Sequence, residues 1–152
     1  MQPNNINRRR FLGVILASSA SALLLPFRAI AAIWNKAAFE AGQLDKAQKD
    51  LGVSGETPSK EIEIIAPDRA ENGAIVQLEV TSRIPNTEAI AIFVEKNPTA
   101  LIGNYIFTNG ALPHIVTRIK MAETSDIKIV VKAGNQYYSN AKNVVVLENG
   151  CG

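Results

Sequence analysis

Ala74-Ile75-Val76-Gln77-Leu78-Glu79-Val80-Thr81 decides the fold of this 152-residue chain. Gln77 and Glu79 fall on one face and Val76, Leu78 and Val80 on the other, the period of two that a strand with one buried face requires. Ile127-Lys128-Ile129-Val130-Val131-Lys132 repeats the pattern, with both lysines off the isoleucine face. Working outward, strand candidates cover Glu61 to Ile65, Ala74 to Thr81, Ala89 to Glu95, Tyr105 to Thr108, His114 to Met121, Asp126 to Lys132, and Tyr137 to Leu147 with a break near Asn140. Turn signals separate them at Glu71-Asn72-Gly73, Ile84-Pro85-Asn86, Lys96-Asn97-Pro98, Thr108-Asn109-Gly110 and Ala133-Gly134-Asn135. About seven short, turn-punctuated strands in roughly 90 residues predict an all-β fold. Its expected form is an immunoglobulin-like antiparallel β-sandwich over residues 53–147, with an N-terminal helix and a flexible C-terminal tail.

Before the sandwich the period changes. Trp34, Ala37, Ala38, Ala41, Leu44, Ala47 and Leu51 recur at spacings of three and four, which places them on one helical stripe. Residues 32–52 are therefore predicted to form a helix, anchored on the body by Trp34 and stopped by Gly52. Gly52 to Ser59 reads as a linker rich in Gly, Ser, Thr and Pro.

Residues 1–31 read as an export signal. Arg8-Arg9-Arg10-Phe11-Leu12 stands directly before the apolar run Val14 to Leu25, and Ala29-Ile30-Ala31 supplies a small-x-small cleavage site. The paired arginines followed by Phe11-Leu12 look like a twin-arginine signal. The apolar run is short of the roughly 20 residues of a membrane span, so a removable signal is expected rather than a membrane anchor.

Export changes the charge of the working protein. The full chain has 16 basic and 14 acidic residues; removing Arg8, Arg9, Arg10 and Arg28 leaves 12 against 14, a net −2. A dispersed, slightly acidic balance gives no electrostatic footprint for nucleic acid or anionic lipid. One domain is expected from the length that remains.

Cys151 is the only cysteine and the second-to-last residue. It cannot form an internal disulfide, so in an oxidising compartment it pairs with another molecule or stays reactive. Gly150 and Gly152 flank it and Asn149 precedes them, so residues 148–152 form a thin arm with little side-chain bulk. From Leu147 to Cys151 such an arm extends roughly 13 to 17 Å at about 3.3 Å per residue. The thiolate is nucleophilic and readily oxidised. No Lys, Arg or His lies near it in sequence, and Glu148 with the terminal carboxylate disfavours the thiolate, so partners must supply its activation.

The export signal, the Trp34-Asn35-Lys36-Ala37-Ala38-Phe39 stretch, the sandwich and the terminal Gly150-Cys151-Gly152 together resemble the SoxY family, the carrier subunits of the periplasmic thiosulfate-oxidising system. The family typically ends in Gly-Gly-Cys-Gly-Gly; here Asn149 replaces the first glycine and the last is absent. The resemblance implies that Cys151 is the covalent attachment point for sulfur intermediates and that the chain performs no turnover alone. It implies no cofactor on this chain and a periplasmic location. As partners it implies a SoxZ-like β-sandwich subunit in a heterodimer, a c-type cytochrome that joins thiosulfate to the cysteine, a dimanganese hydrolase that releases sulfate, and in complete pathways a sulfur dehydrogenase.

The apolar runs Ala89-Ile90-Ala91-Ile92-Phe93-Val94 and Val144-Val145-Val146-Leu147 suit a partner interface and an interior strand equally, and Tyr105, Phe107, Tyr137 and Tyr138 are candidate interface anchors. His114 has no Cys or His at ligand spacing and reads as a surface or interface residue. Ser125 and Ser139 lack a nucleophile-elbow setting, and Glu61 and Glu63 share one solvated strand face. Two rival readings remain at this level. One is an exported immunoglobulin-like interaction module joined to a partner by an intermolecular disulfide through Cys151. The other is a thiol enzyme, which requires folding to bring His114 to the tail.

Overall fold

The computed structural model describes residues 35–148. Two short helices, α1 (Lys36–Glu40) and α2 (Leu44–Leu51), precede the strands. These are β1 (Thr57–Pro58), β2 (Ile62–Ile65), β3 (Arg69–Asn72), β4 (Val76–Ser82), β5 (Thr87–Val94), β6 (Leu101–Ile106), β7 (His114–Ile119), β8 (Ser125–Ala133) and β9 (Gln136–Glu148). One sheet has the order β1-β9-β8-β5-β6, with β3 also paired to β9; the other is β2-β4-β7. The two face each other as an immunoglobulin-like β-sandwich.

The alternation of β4 is realised as expected: Val76, Leu78 and Val80 are buried while Gln77 is exposed. They meet Ile90, Ile92, Ile127 and Ile129 of the facing sheet. β5 is buried on both faces, which explains its unbroken apolar run. Ile90, Ile92 and Val94 fill the sandwich core, while Ala91 and Phe93 turn to the opposite face against Ala38, Ala41 and Ala47. The helices therefore form a third layer. Burying a side chain the size of Phe93 there contributes about 1.5–3 kcal/mol. Ile90 to Val94 of the apolar run are interior and covered by this chain alone, while Ala89 is half-buried.

The predicted single helix is broken at Ala41-Gly42-Gln43. Ala41 is extended, and its carbonyl accepts from the amide of Ala100 at 3.1 Å. A Cβ on Gly42 would come within 3.1 Å of the Pro98 carbonyl, so the β5–β6 loop docks where a straight helix would run. The break moves Ala37 from the expected stripe to solvent, while Ala38, Ala41 and Ala47 stay buried. Asn35 compensates: its Oδ1 accepts from the Ala38 amide at 3.1 Å and its Nδ2 donates to the Asp50 carbonyl at 2.6 Å, tying the start of α1 to the end of α2. Gly52 ends α2 at φ +84°, as its position suggested. Trp34 lies outside the described residues.

β9 departs most from expectation. It continues through Asn140 without a break, and two of its neighbours run parallel to it rather than antiparallel. β1 pairs at Tyr138 and Ser139, and β3 at Val145, Val146 and Glu148. Asn140 sits in the gap between these partners, and its Nδ2 donates to the Ile62 carbonyl at 2.7 Å, a link to the second sheet. Neither parallel strand announces itself: β1 lies within the predicted linker, and Arg69-Ala70-Glu71-Asn72 carries a single apolar residue.

Asn97 joins the loops at the end of the sandwich where β9 finishes. Its Nδ2 donates to the Lys120 carbonyl and its Oδ1 accepts from the Ala122 amide, both at 2.8 Å.

Candidate functional site

Cys151, with Asn149, Gly150 and Gly152, lies outside the described residues; the structure describes the root from which they extend. Glu148, expected in the arm, is the last residue of β9. Asn72 is its register partner, and the buried Gly73 donates its amide to the Glu148 carbonyl at 3.0 Å. Gly73 in turn accepts from the Met121 amide at 2.8 Å, and Asn72 Oδ1 accepts from the Ala74 amide at 2.7 Å. Two residues back, the Val146 amide donates to Thr124 Oγ1 at 2.9 Å, and the Val145 amide donates to the Asp68 carbonyl at 3.0 Å. The chain is thus held on both sides up to Val146 and on the β3 side as far as Glu148. Only three residue steps lead from this anchored point to Cys151, a reach of about 10 Å.

A groove opens beside the root, between β3 and the outer face of the β2-β4-β7 sheet. Ile65, Asn72, Ile75, Glu79, Val116 and Arg118 are among its lining residues. The Glu71-Asn72-Gly73 turn signal marked its rim, but the roles of Gly73, Asn72 and Thr124 in holding β9 depend on pairing between distant segments and were not legible.

His114 is far from the root. It pairs with Thr81 at the start of β7, whereas Ile119, next to the root, pairs with Val76 at the other end. Five strand residues separate those ends, about 17 Å. The His114 ring meets Thr81 Oγ1 at 3.0 Å and lies 3.9 Å from Glu79. Ser125 and Ser139 are buried; Ser125 Oγ accepts from the Lys96 amide at 3.1 Å, a structural role. Glu61 and Glu63 are both exposed, and Glu63 pairs with Arg83 at 2.6 Å.

Of the candidate aromatic anchors, Tyr105 is exposed on β6. Phe107 and Tyr138 pack against the sandwich core, and Tyr137 packs against the helix layer. In Val144-Val145-Val146-Leu147, Val144 and Val146 are buried while Val145 and Leu147 face solvent.

A partly buried ion pair joins Lys128 of β8 to Glu56, whose Oε1 also accepts from Gln48 of α2 at 3.2 Å. On the surface, the Lys132 ammonium donates to Glu88 at 2.7 Å. That hydrogen bond holds the Glu88 carboxyl below its ordinary range and the Lys132 ammonium above its own. Among the described residues, no group of three or more His, Cys, Asp or Glu is placed to hold a metal ion, and no helix is long and apolar enough to cross a membrane.

Residues 47–151 match the family of the sulfur oxidation protein SoxY, an alignment that begins inside α2 and takes in both sheets and the chain up to Cys151. The chain belongs to the SoxY family. The sulfur carrier protein SoxY from Chlorobium limicola f thiosulfatophilum shares its fold, with a TM-score of 0.63 and 32% identity over 68% of this chain and 96% of that one. Two looser likenesses fall outside SoxY. A Jonesia denitrificans lytic polysaccharide monooxygenase gives a TM-score of 0.38 at 15% identity, over 60% of this chain and 58% of that one. The CARDB domain of a Pyrococcus furiosus protein gives 0.35 at 19%, over 62% and 99%. Neither bears on function. No curated protein matches the chain.

Proposed function

We propose that this SoxY-family chain is an exported, non-catalytic carrier that holds sulfur intermediates of thiosulfate oxidation covalently on Cys151 and presents them to partner enzymes. The observation that carries the reading is the family match running to residue 151, joined to a strand anchored until three residues before the thiol. A rigid body with a short, glycine-flanked terminal thiol suits presentation of one atom to several sites. His114, the only histidine, stands about 17 Å along β7 from the root end, beyond the reach of the arm, which favours activation by partners over a self-contained thiol enzyme.

In the proposed cycle the Cys151 thiolate and the sulfane sulfur of thiosulfate form an S–S bond. Two electrons pass to a c-type cytochrome, leaving a cysteine S-thiosulfonate. Water then cleaves the terminal S–S bond under a dimanganese hydrolase; sulfate and two protons leave, and a persulfide anion remains on Cys151. In a complete pathway a sulfur dehydrogenase oxidises that sulfur before a second hydrolysis restores the thiol. We assign Gly150, Gly152 and Asn149 the arm's freedom, a SoxZ-like subunit the role of heterodimer partner, and the twin-arginine-like signal the delivery to the periplasm.

Mature protein incubated with thiosulfate and the oxidised cytochrome should gain the mass of a thiosulfonate on its C-terminal peptide, and Cys151→Ser should gain none. Mass on another peptide, or undiminished thiosulfate oxidation with Cys151→Ser, overturns the reading. A disulfide partner at Cys151 that substrate does not displace would do the same in favour of an interaction module.

A further inference from the structure

We infer that the groove beside the arm root docks the rim of the enzyme sites that receive Cys151, an inference that rests on the carrier reading. Reach decides it. β9 stays in its sheet through Glu148, so chain length alone keeps Cys151 within about 10 Å of that point. An enzyme whose reacting centre lies below its own surface must bring its rim against the carrier surface that surrounds Glu148. Asn72, the register partner of Glu148, lines the groove, so its near end begins about 5 Å from the root.

That surface has the chemistry of an interface. Ile65, Ile75 and Val116 line the groove with 52, 67 and 72% of their surface exposed. Clustered exposure of this kind marks a site of contact with another macromolecule. The groove holds about 1110 Å³ and is open to solvent, which suits a ridge of side chains better than a small ligand. Arg118, exposed in the groove, makes no ion pair among the described residues. The fitting partner surface is an apolar ridge at the mouth of the enzyme site.

The test uses the full mature chain loaded without the cytochrome. Tetrathionate and the Cys151 thiolate exchange to give the S-thiosulfonate with thiosulfate as leaving group. The host's sulfate-releasing hydrolase is then assayed with loaded wild type, with a loaded Ile75→Ser/Val116→Ser variant, and with the loaded peptide of residues 148–152. Both substitutions are at exposed positions, so the variant should fold. KM for the variant should rise about tenfold with kcat unchanged, approaching KM for the peptide. The rate of Cys151 alkylation by iodoacetamide should equal that of wild type. Equal KM for variant and wild type overturns the groove alone. Altered alkylation with unaltered KM overturns it in favour of the arm itself as occupant. A wild-type dimer, or a complex with a SoxZ-like subunit, that the variant dissolves at unaltered KM overturns it in favour of that occupant. No turnover of loaded wild type overturns the carrier reading and the groove with it.

Discussion

Gly73 donates its amide to the carbonyl of Glu148 at 3.0 Å and accepts from the Met121 amide at 2.8 Å, so one buried residue ties the end of β9 to the loop after β7. This contact fixes where the strand ends and the arm begins. The Asn72 side chain shapes the turn through its bond to the Ala74 amide. Asn72→Ala should therefore accelerate hydrogen exchange at the Gly73 amide about fivefold, the effect of losing about 1 kcal/mol of local stability. Unchanged exchange by NMR would show that strand pairing alone holds the root.

Asn35 performs two tasks with one amide, capping α1 and bonding to the Asp50 carbonyl at the end of α2. Asn35→Ala should lower unfolding free energy by about 1–2 kcal/mol in urea titration. Asn35→Asp keeps the cap acceptor and loses the donor, so its loss should be smaller.

Glu56 and Lys128 link the segment after α2 to β8, with 23% of each side chain exposed. Lys128→Met leaves the carboxylate with Gln48 as its remaining partner and should cost about 1–2 kcal/mol, less than for a fully buried pair. Adding Glu56→Leu removes the stranded charge. The double variant should be more stable than the sum of the two single losses, as a thermal or chemical denaturation cycle would read.

The Glu88–Lys132 pair sets a pH window. Glu88 has its folded-state pKa lowered from 4.5 by the hydrogen bond to Lys132, so its contribution is present above pH 4.5 and is lost as pH falls through the lowered value. Lys132 has its own raised from 10.5, so its contribution is present below pH 10.5 and is lost as pH rises through the raised value. The Tm difference between wild type and Glu88→Gln should be widest and flat between about pH 5 and 10 and narrow on either side. Added salt should shrink it, because both groups are exposed.

Local pattern carried the sandwich because alternation such as Val76-Gln77-Leu78-Glu79-Val80 is a property of adjacent residues. It also marked the Gly52 stop, the main turns, and Cys151 as the residue on which the proposed function rests. The two-sided burial of β5 was left open, since an all-apolar run does not say which neighbour covers each face. The single helix failed at Ala41-Gly42-Gln43 because a loop some 57 residues further on takes that space.

The sequence by itself determined the all-β class, the single cysteine at Cys151 and the small residues around it, because each is written in contiguous residues. Only the tertiary structure decided that β9 runs unbroken to Glu148, that β1 and β3 pair with it in parallel, and that a groove with exposed Ile65, Ile75 and Val116 opens beside its end. Those depend on pairing between segments 76 to 81 residues apart, such as Asn72 with Glu148 and Thr57 with Tyr138. Backbone pairing of that kind leaves little trace in side-chain pattern, since every residue but proline offers the same donor and acceptor.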